Sequence, residues 1–484
     1  MSTFSHKKHK KAQKQILKTF CGFSCFLWSF IFPMAGNAKP VMPNILLITA
    51  DDMGTTAGCY GDKLAATPNL DQLAAEGVLF ENAYVTHASC SPSRSSILTG
   101  LYPHQNGHIG LAGLHPEYKL HPDIRTLPAI LKDAGYHTGI LGKLHVSAAP
   151  GQAPFDFEWA SHGNPVVTRD VRMVAQKAEE FLGQVGKRPF FLYVNYFDPH
   201  RPYDAESNQC KGLPEKPYGP NDIEPFAYLG LDGLPVRQEV ASYYNCVNRL
   251  DVGLGMLFQT LEKAGMLDDT LIIFLGDHGV PFSRAKTTCY EAGEQVPFFV
   301  KWPGVSRAGL RCTDFISSVD IMPTLLDAAG IACPPVAGRS LREVVTGSTP
   351  NDWRKELCSE YTSHAQQHLY PRRSVRNERY KLVHNLDSSR KNPVPYIGAT
   401  RPKPGVVEIK PGMEAAYRTT EAPPEFELYD LSKDPHETVN IVGNPEVAEV
   451  LKRLKADLLK WRRNTADPLL DPAELQRLKK AHGL

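Results

Sequence analysis

The chain has 484 residues, 42% of them hydrophobic and 22% charged, with a formal net charge of only +2. That composition is ordinary for a globular protein and gives no electrostatic case for nucleic-acid binding. An anionic substrate would have to be met by a local basic pocket. At the N-terminus, Lys7, Lys8, Lys10, Lys11 and Lys14 form a basic region ahead of the apolar run Phe20 to Phe32, and Gly36-Asn37-Ala38 supplies small residues for cleavage. This pattern predicts a secretory signal over 1–38, the alternative being an uncleaved anchor. Export permits disulfides, but the ten cysteines show no Cys-x-x-Cys spacing, and their pairing is not readable. The chain has no Asn-x-Ser/Thr sequon, which favours a bacterial periplasmic or extracellular protein over a glycosylated lysosomal one.

Beyond the signal, the run Asn44 to Thr49 predicts a buried parallel strand, with Asp51 and Asp52 at its C-terminal end. Adjacent carboxylates repel unless a proton or cation lies between them, and a hard divalent ion is the economical reading over a plain Asp-Asp turn. Thr67-Pro68 opens a helix that stops at Gly77, and Val78 to Val85 reads as a strand. In Cys90-Ser91-Pro92-Ser93-Arg94, Ser91 suits a helix cap and Pro92 its first turn. Cys90 then stands just ahead of a helix N-terminus, where negative charge is favoured and a thiol is acidified, and Arg94 follows one turn later. A buried structural cysteine at a helix start would read the same in isolation.

Helices are expected over Leu127 to Ala134, Arg169 to Val185, Val236 to Ala264 and Val319 to Ala329. Strands are expected before Lys143 and His145, over Pro189 to Phe197 before His200, over Leu271 to Leu275 before Asp277 and His278, and over Val296 to Trp302. The Pro- and Gly-rich segment Gln209 to Leu234 reads as a loop or lid over the site. Beyond Pro350, Arg373 to Leu386 alternates as antiparallel strands do, Glu427 to Leu431 is a short strand, and Pro445 to Arg462 is an amphipathic helix. The expectation is an α/β fold: a large, mixed, mostly parallel sheet flanked by helices over 39–349, and a smaller antiparallel sheet with one helix over 350–484. Asp387 to Pro424 is Pro-rich and irregular, readable as a substrate loop or as a linker.

Cys-x-Pro-Ser-Arg followed by Leu98-Thr99-Gly100, together with Gly135-Tyr136-x-Thr138-x-x-x-Gly142-Lys143-x-His145, resembles the two signatures of the formylglycine-dependent sulfatases. The stretches Cys90 to Gly113, Pro154 to Phe157, Arg188 to Tyr193, Asp198 to Arg201, Arg373 to Leu386 and Glu427 to Thr438 are most similar to the sulfamidase branch, which acts on N-sulfated glucosamine of heparan-derived sugars. The resemblance implies an alkaline-phosphatase-like sandwich and a sulfate ester or sulfamate hydrolase. It implies that Cys90 is converted to formylglycine by a formylglycine-generating or anaerobic sulfatase-maturating enzyme. It also implies one calcium ion held by Asp51, Asp52, Asp277, His278 and the residue at position 90.

By the same resemblance, Arg94 and Lys143 stabilise the nucleophile, His145 takes its remaining proton, and His200 and Lys286 serve the sulfate and its leaving atom. Two positions depart from the branch pattern: His278 stands where that branch has Asn, and Lys286 where it has Arg. Cys210 to Leu234 and Asp387 to Pro424 do not obviously match it. An O-sulfatase for another polysaccharide, a phosphatase or phosphonate hydrolase of the same superfamily, and a non-catalytic glycan binder are the alternatives. The expected partner is a sulfated saccharide.

Overall fold

The computed structural model describes residues 42–162, 165–203 and 212–484; the expected signal segment lies outside them. Eight strands form the main sheet, in the order Leu310–Cys312, Val78–Phe80, Phe298–Lys301, Thr270–Gly276, Asn44–Ala50, Phe190–Tyr196, His137–Gly142 and Phe157–Trp159. All neighbours run parallel except Phe298–Lys301, which is antiparallel to both of its partners. Thr270–Gly276, Asn44–Ala50 and Phe190–Tyr196 are mostly apolar and buried because both faces are covered. Leu46 and Ile48 pack on one side beneath helices Pro68–Glu76, Val171–Val185 and Leu234–Lys263. Ile45 and Leu47 pack on the other beneath Cys90–Thr99, Leu127–Asp133 and Ile321–Ala328.

The expected strand over Val78 to Val85 is interrupted: Val78–Phe80 joins the main sheet, and Ala83–Tyr84 pairs with Ile316–Ser317 in a separate ribbon. Two helix starts on this side of the sheet are fixed by carboxylates. Asp170 accepts from the Arg172 and Met173 amides. Asp251, on the long helix, accepts from the Asn69 and Leu70 amides at 3.1 and 2.9 Å, tying two helices together.

A second, antiparallel sheet runs Leu357–Tyr361, Arg372–Arg376, Tyr380–Asn385 and Phe426–Asp430. Helix Ala448–Asn464 covers it, burying Leu454 and Leu458 against Val375, Leu382 and Leu428. Two further helices, Glu414–Glu421 and Pro472–Ala481, lie in the same part of the chain. The seven cysteines among the described residues are free thiols, and no described helix is long and apolar enough to cross a membrane.

Asp467 anchors the end of the covering helix. It accepts from Arg373 at 2.9 Å on each oxygen and from Arg462 Nε at 2.6 Å. Burial opposes its charge, but Arg373, His104 and Arg462 outweigh burial and hold the carboxyl well below its usual range. Asp467→Asn is therefore expected to cost about 3 kcal/mol in urea unfolding near pH 7, because it leaves buried guanidinium charge uncompensated. A depressed folded-state pKa stabilises above the unfolded value, about 3.9, and that stability is lost as pH falls through the folded value. The gap between wild type and variant should therefore narrow below roughly pH 4.

Candidate active site

Four neighbouring parallel strands end within a residue of one another, with Ala50 in register with both Tyr196 and Gly276, and Gly142 with Asn195. The first residues past these ends form a crevice of the kind in which open α/β sheets place ligands. They are Asp51 and Asp52, Asp277 and His278, and Lys143. Gly142 makes the approach: its φ is +86°, and a Cβ there would lie 2.1 Å from the Asn195 carbonyl. Asp52 and His145 also take positive φ, 70° and 52°, unusual for residues with side chains.

Cys90 opens helix Cys90–Thr99 rather than preceding it, and Ser89 is the cap residue. Ser91, expected as the cap, lies inside the helix, where its hydroxyl accepts from the Ala112 amide at 3.0 Å. Cys90 is 1% exposed, and its Sγ lies 3.3 Å from Asp51 Oδ1, 3.4 Å from His278 Nε2 and 3.6 Å from Lys286 Nζ. Burial pushes its thiol up, but Lys143, Lys286 and His278 outweigh burial and hold it well below the usual range. His145 acts on the same sulfur electrostatically, and its own Nδ1 is buried without a hydrogen-bond partner.

Two lysines pair with the adjacent aspartates: Lys143 Nζ lies 2.6 Å from Asp51 Oδ2, and Lys286 Nζ 2.7 Å from Asp52 Oδ1. Asp52 is held well below its usual range. Burial opposes this, but Lys286, His200 and His278 prevail. Arg94 is fully buried and donates to Asp277 Oδ2 at 2.9 Å, the Lys143 carbonyl at 3.0 Å and Thr49 Oγ1 at 3.2 Å, and also to Asn195 Oδ1. Its Nη2 has no hydrogen-bond partner and lies 3.7 Å from Asp51 Oδ2.

Asp51, Asp52, Cys90 and His278 offer ligand atoms within 4.8 Å of one another, so this buried cluster is able to hold a metal ion. The arrangement around His278 fits one. Its Nδ1 is 2.9 Å from the Gly279 carbonyl, which places a proton there and turns the Nε2 lone pair inward. Nε2 then faces Asp52 Oδ1 at 2.9 Å and Asp277 Oδ1 at 3.8 Å, an opposition of acceptors that requires a proton or cation between them. Asp277 stands beside this group, its oxygens also accepting from the Asp52 amide and from Arg94.

His200 Nε2 lies 3.8 Å from Asp52 Oδ2, at the edge of a cavity of about 330 Å³. Lys286 and Asp52 form its floor. Its walls include Arg201, which pairs with Glu239 at 2.8 Å, and Val394, Tyr396, Ile397 and Gly398, together with His364 and His368, which no sequence signal singled out. Part of the stretch expected to be irregular from Asp387 thus borders the cavity, whereas farther on Glu408–Ile409 pairs with Leu231–Asp232 and Glu414–Glu421 is helical. The described part of the expected lid, 212–234, contributes no residue to this cavity; Phe226 and Tyr228 line a different one behind Gly54 to Thr56. The loop carrying His200 is held by Asp198, which binds Arg249 at 2.7 and 2.9 Å and Arg169 at 3.0 Å.

Residues 43–331 match the family described as Sulfatase, and 276–392 match the family described as N-sulphoglucosamine sulphohydrolase, C-terminal. The chain is 35% identical to the Homo sapiens N-sulphoglucosamine sulphohydrolase over 88% of its own length and 91% of the relative's. It is 26% identical to an N-acetylglucosamine-6-O-sulfatase of Bacteroides thetaiotaomicron, over 85% of each chain. Among solved structures, one described in complex with its substrate D-glucosamine-2-N,6-O-disulfate superposes with a TM-score of 0.64 at 22% identity, covering 88% of this chain and 98% of the other.

Proposed function

The chain belongs to the sulfatase family, and from that premise we propose that it hydrolyses the N-sulfate of glucosamine in heparan- or heparin-derived saccharides. The observation that carries this reading is the resemblance to an N-sulphoglucosamine sulphohydrolase over nearly the whole described chain, including the C-terminal match that supplies a cavity wall. We take Cys90 to be oxidised to formylglycine by a maturation enzyme, in a protein exported behind the 1–38 leader. We take 39–349 as the catalytic domain and 350–484 as its C-terminal subdomain.

Formylglycine would supply a hydrated aldehyde, one oxygen for attack on sulfur and a second whose carbonyl re-forms as sulfate departs. A calcium ion, held by Asp51, Asp52, Asp277, His278 and the residue at 90, would supply charge neutralisation on the sulfuryl oxygens. The chain's own residues do the rest. Lys143 and Lys286, 8% and 6% exposed, place two cations where water is largely excluded, so their pull on a sulfuryl group is strong. Arg94 keeps one free N–H for the group at position 90. His145 lies beside that group and is buried with an open Nδ1, suited to take a proton from it. His200, at the mouth, is placed to give a proton to the departing nitrogen or oxygen.

The test is sulfate release from N-sulfoglucosamine and from glucosamine 6-O-sulfate, using enzyme with verified formylglycine, before and after chelation and calcium replacement. Calcium-dependent release from the N-sulfated sugar alone is expected. Release from the 6-sulfated sugar alone would keep the chemistry and make the protein an O-sulfatase.

A further inference from the structure

The second sheet reaches the nucleophile through one extended segment. At the end of strand Leu357–Tyr361, the Glu360 amide donates to the Thr86 carbonyl at 2.9 Å and the Thr362 amide to His87 Nε2 at 3.1 Å. His364 Nδ1 meets Ser89 Oγ at 2.7 Å. Alternate residues of one segment thus grip three of the four residues leading into Cys90. The His364 backbone is fixed as well, its carbonyl accepting from the Leu111 amide at 2.9 Å. Its ring stacks on His368, with centroids 5.9 Å apart at 17°.

With Nδ1 committed to Ser89, Nε2 of His364 has no protein partner among the described residues, and the ring borders the cavity over Asp52, His200 and Lys286. Burial, with Lys286 adding to it, holds this imidazole well below the usual histidine range. It therefore faces the cavity uncharged, among cations suited to sulfate. An uncharged, rigidly held imidazole is matched to an uncharged polar atom of the sugar, and its fixed position means little ordering is needed on binding.

We propose that His364 is a specificity-determining residue, hydrogen-bonding through Nε2 to a hydroxyl or amine of the saccharide next to the scissile sulfate. This rests on the sulfated-glucosamine reading above. It makes the C-terminal subdomain part of substrate selection, with Ser89 coupling that contact to the start of the nucleophile helix.

The experiment compares His364→Ala and His364→Gln with wild type on two substrates: whichever of the two glucosamine sulfates the wild type accepts, and 4-nitrophenyl sulfate, which has no sugar. Formylglycine content is matched by peptide mass across position 90. Losing one hydrogen bond to an uncharged group, with its partner left buried, is expected to lower kcat/KM on the sugar by roughly 10- to 100-fold. That loss should exceed the loss on the aryl sulfate by at least about tenfold, with His364→Gln retaining part of the difference. Equal loss on both substrates would overturn the assignment, since a support for the Cys90 helix predicts that result. No loss on the sugar would overturn it as well. A wild type active on the aryl sulfate but silent on both sugars would refute the glucosamine reading itself, and the assignment with it.

Discussion

Cys90→Ala is expected to lower sulfate release by on the order of 10⁵-fold while leaving the fold intact. Both halves follow from the surroundings of the sulfur. Cys90 is almost completely buried at the start of helix Cys90–Thr99, and alanine keeps the backbone and the Cβ there. The lost sulfur leaves a small void, costing about 1 kcal/mol. The charges around it stay paired, because Lys143 and Lys286 keep Asp51 and Asp52. The melting temperature should therefore move little. What disappears is the thiol whose oxidation would turn Cβ into the aldehyde carbon that carries the nucleophile. Cys90→Ser separates the roles of the two hydrate oxygens: a serine hydroxyl could accept a sulfuryl group but has no second oxygen from which to form a carbonyl and expel it. Ion chromatography should show no free sulfate for either variant, while the desulfated sugar should reach at most one equivalent for Cys90→Ser, its sulfuryl group retained on the serine, and none for Cys90→Ala. Turnover above about 1% of wild type in Cys90→Ala would remove position 90 from the mechanism.

The readable part of this site was the part written locally. Asp51, Asp277, Lys143 and His200 each follow closely on an apolar run, and such runs become buried parallel strands whose ends share one crevice. The Cys90 motif and the Gly142-Lys143-x-His145 motif carried the chemistry, since each packs its residues into one turn or one strand end. Residues brought in from far along the chain left no such mark. His364 lies 275 positions from Ser89, in a short segment with no periodicity. Asn195 is inside a strand that reads only as apolar, yet its side chain accepts from Thr49 and Arg94. Val394 to Gly398 is irregular, so composition could not separate a cavity wall from a linker. The helix start reads two residues late in the sequence because Ser91 is a good cap by type. In the fold the capping position falls on Ser89, whose hydroxyl serves His364 instead of the helix. The direction of Phe298–Lys301 was equally unreadable, since an apolar run has the same pattern in either orientation.

Arg94→Lys should abolish most activity although it conserves charge, and Arg94→Met should also destabilise the fold by about 3–5 kcal/mol. Arg94 is a buried hub: one guanidinium spans Asp277 on one side and Asn195, Thr49 and the Lys143 carbonyl on the other. Those partners come from four different strand ends, so the planar fork sets the spacing of the crevice as well as its charge. Its own charge is secure, because Asp277, Tyr193 and Asp51 outweigh burial and raise its pKa. Methionine fills comparable volume but leaves Asp277 and Asn195 facing an apolar chain. That is the uncompensated buried charge which makes breaking such a pair far more costly than the pair's net worth. Lysine restores one positive charge at one point, yet it cannot serve Asp277 and Asn195 together from a single ammonium. Urea midpoints should therefore rank wild type, Arg94→Lys, Arg94→Met, whereas sulfate release should fall at least about 100-fold in both variants at equal formylglycine content. If Arg94→Lys kept wild-type turnover, charge alone would suffice at this position. The spacing of Asp277, Lys143 and Cys90 would then have to be maintained by the strands themselves.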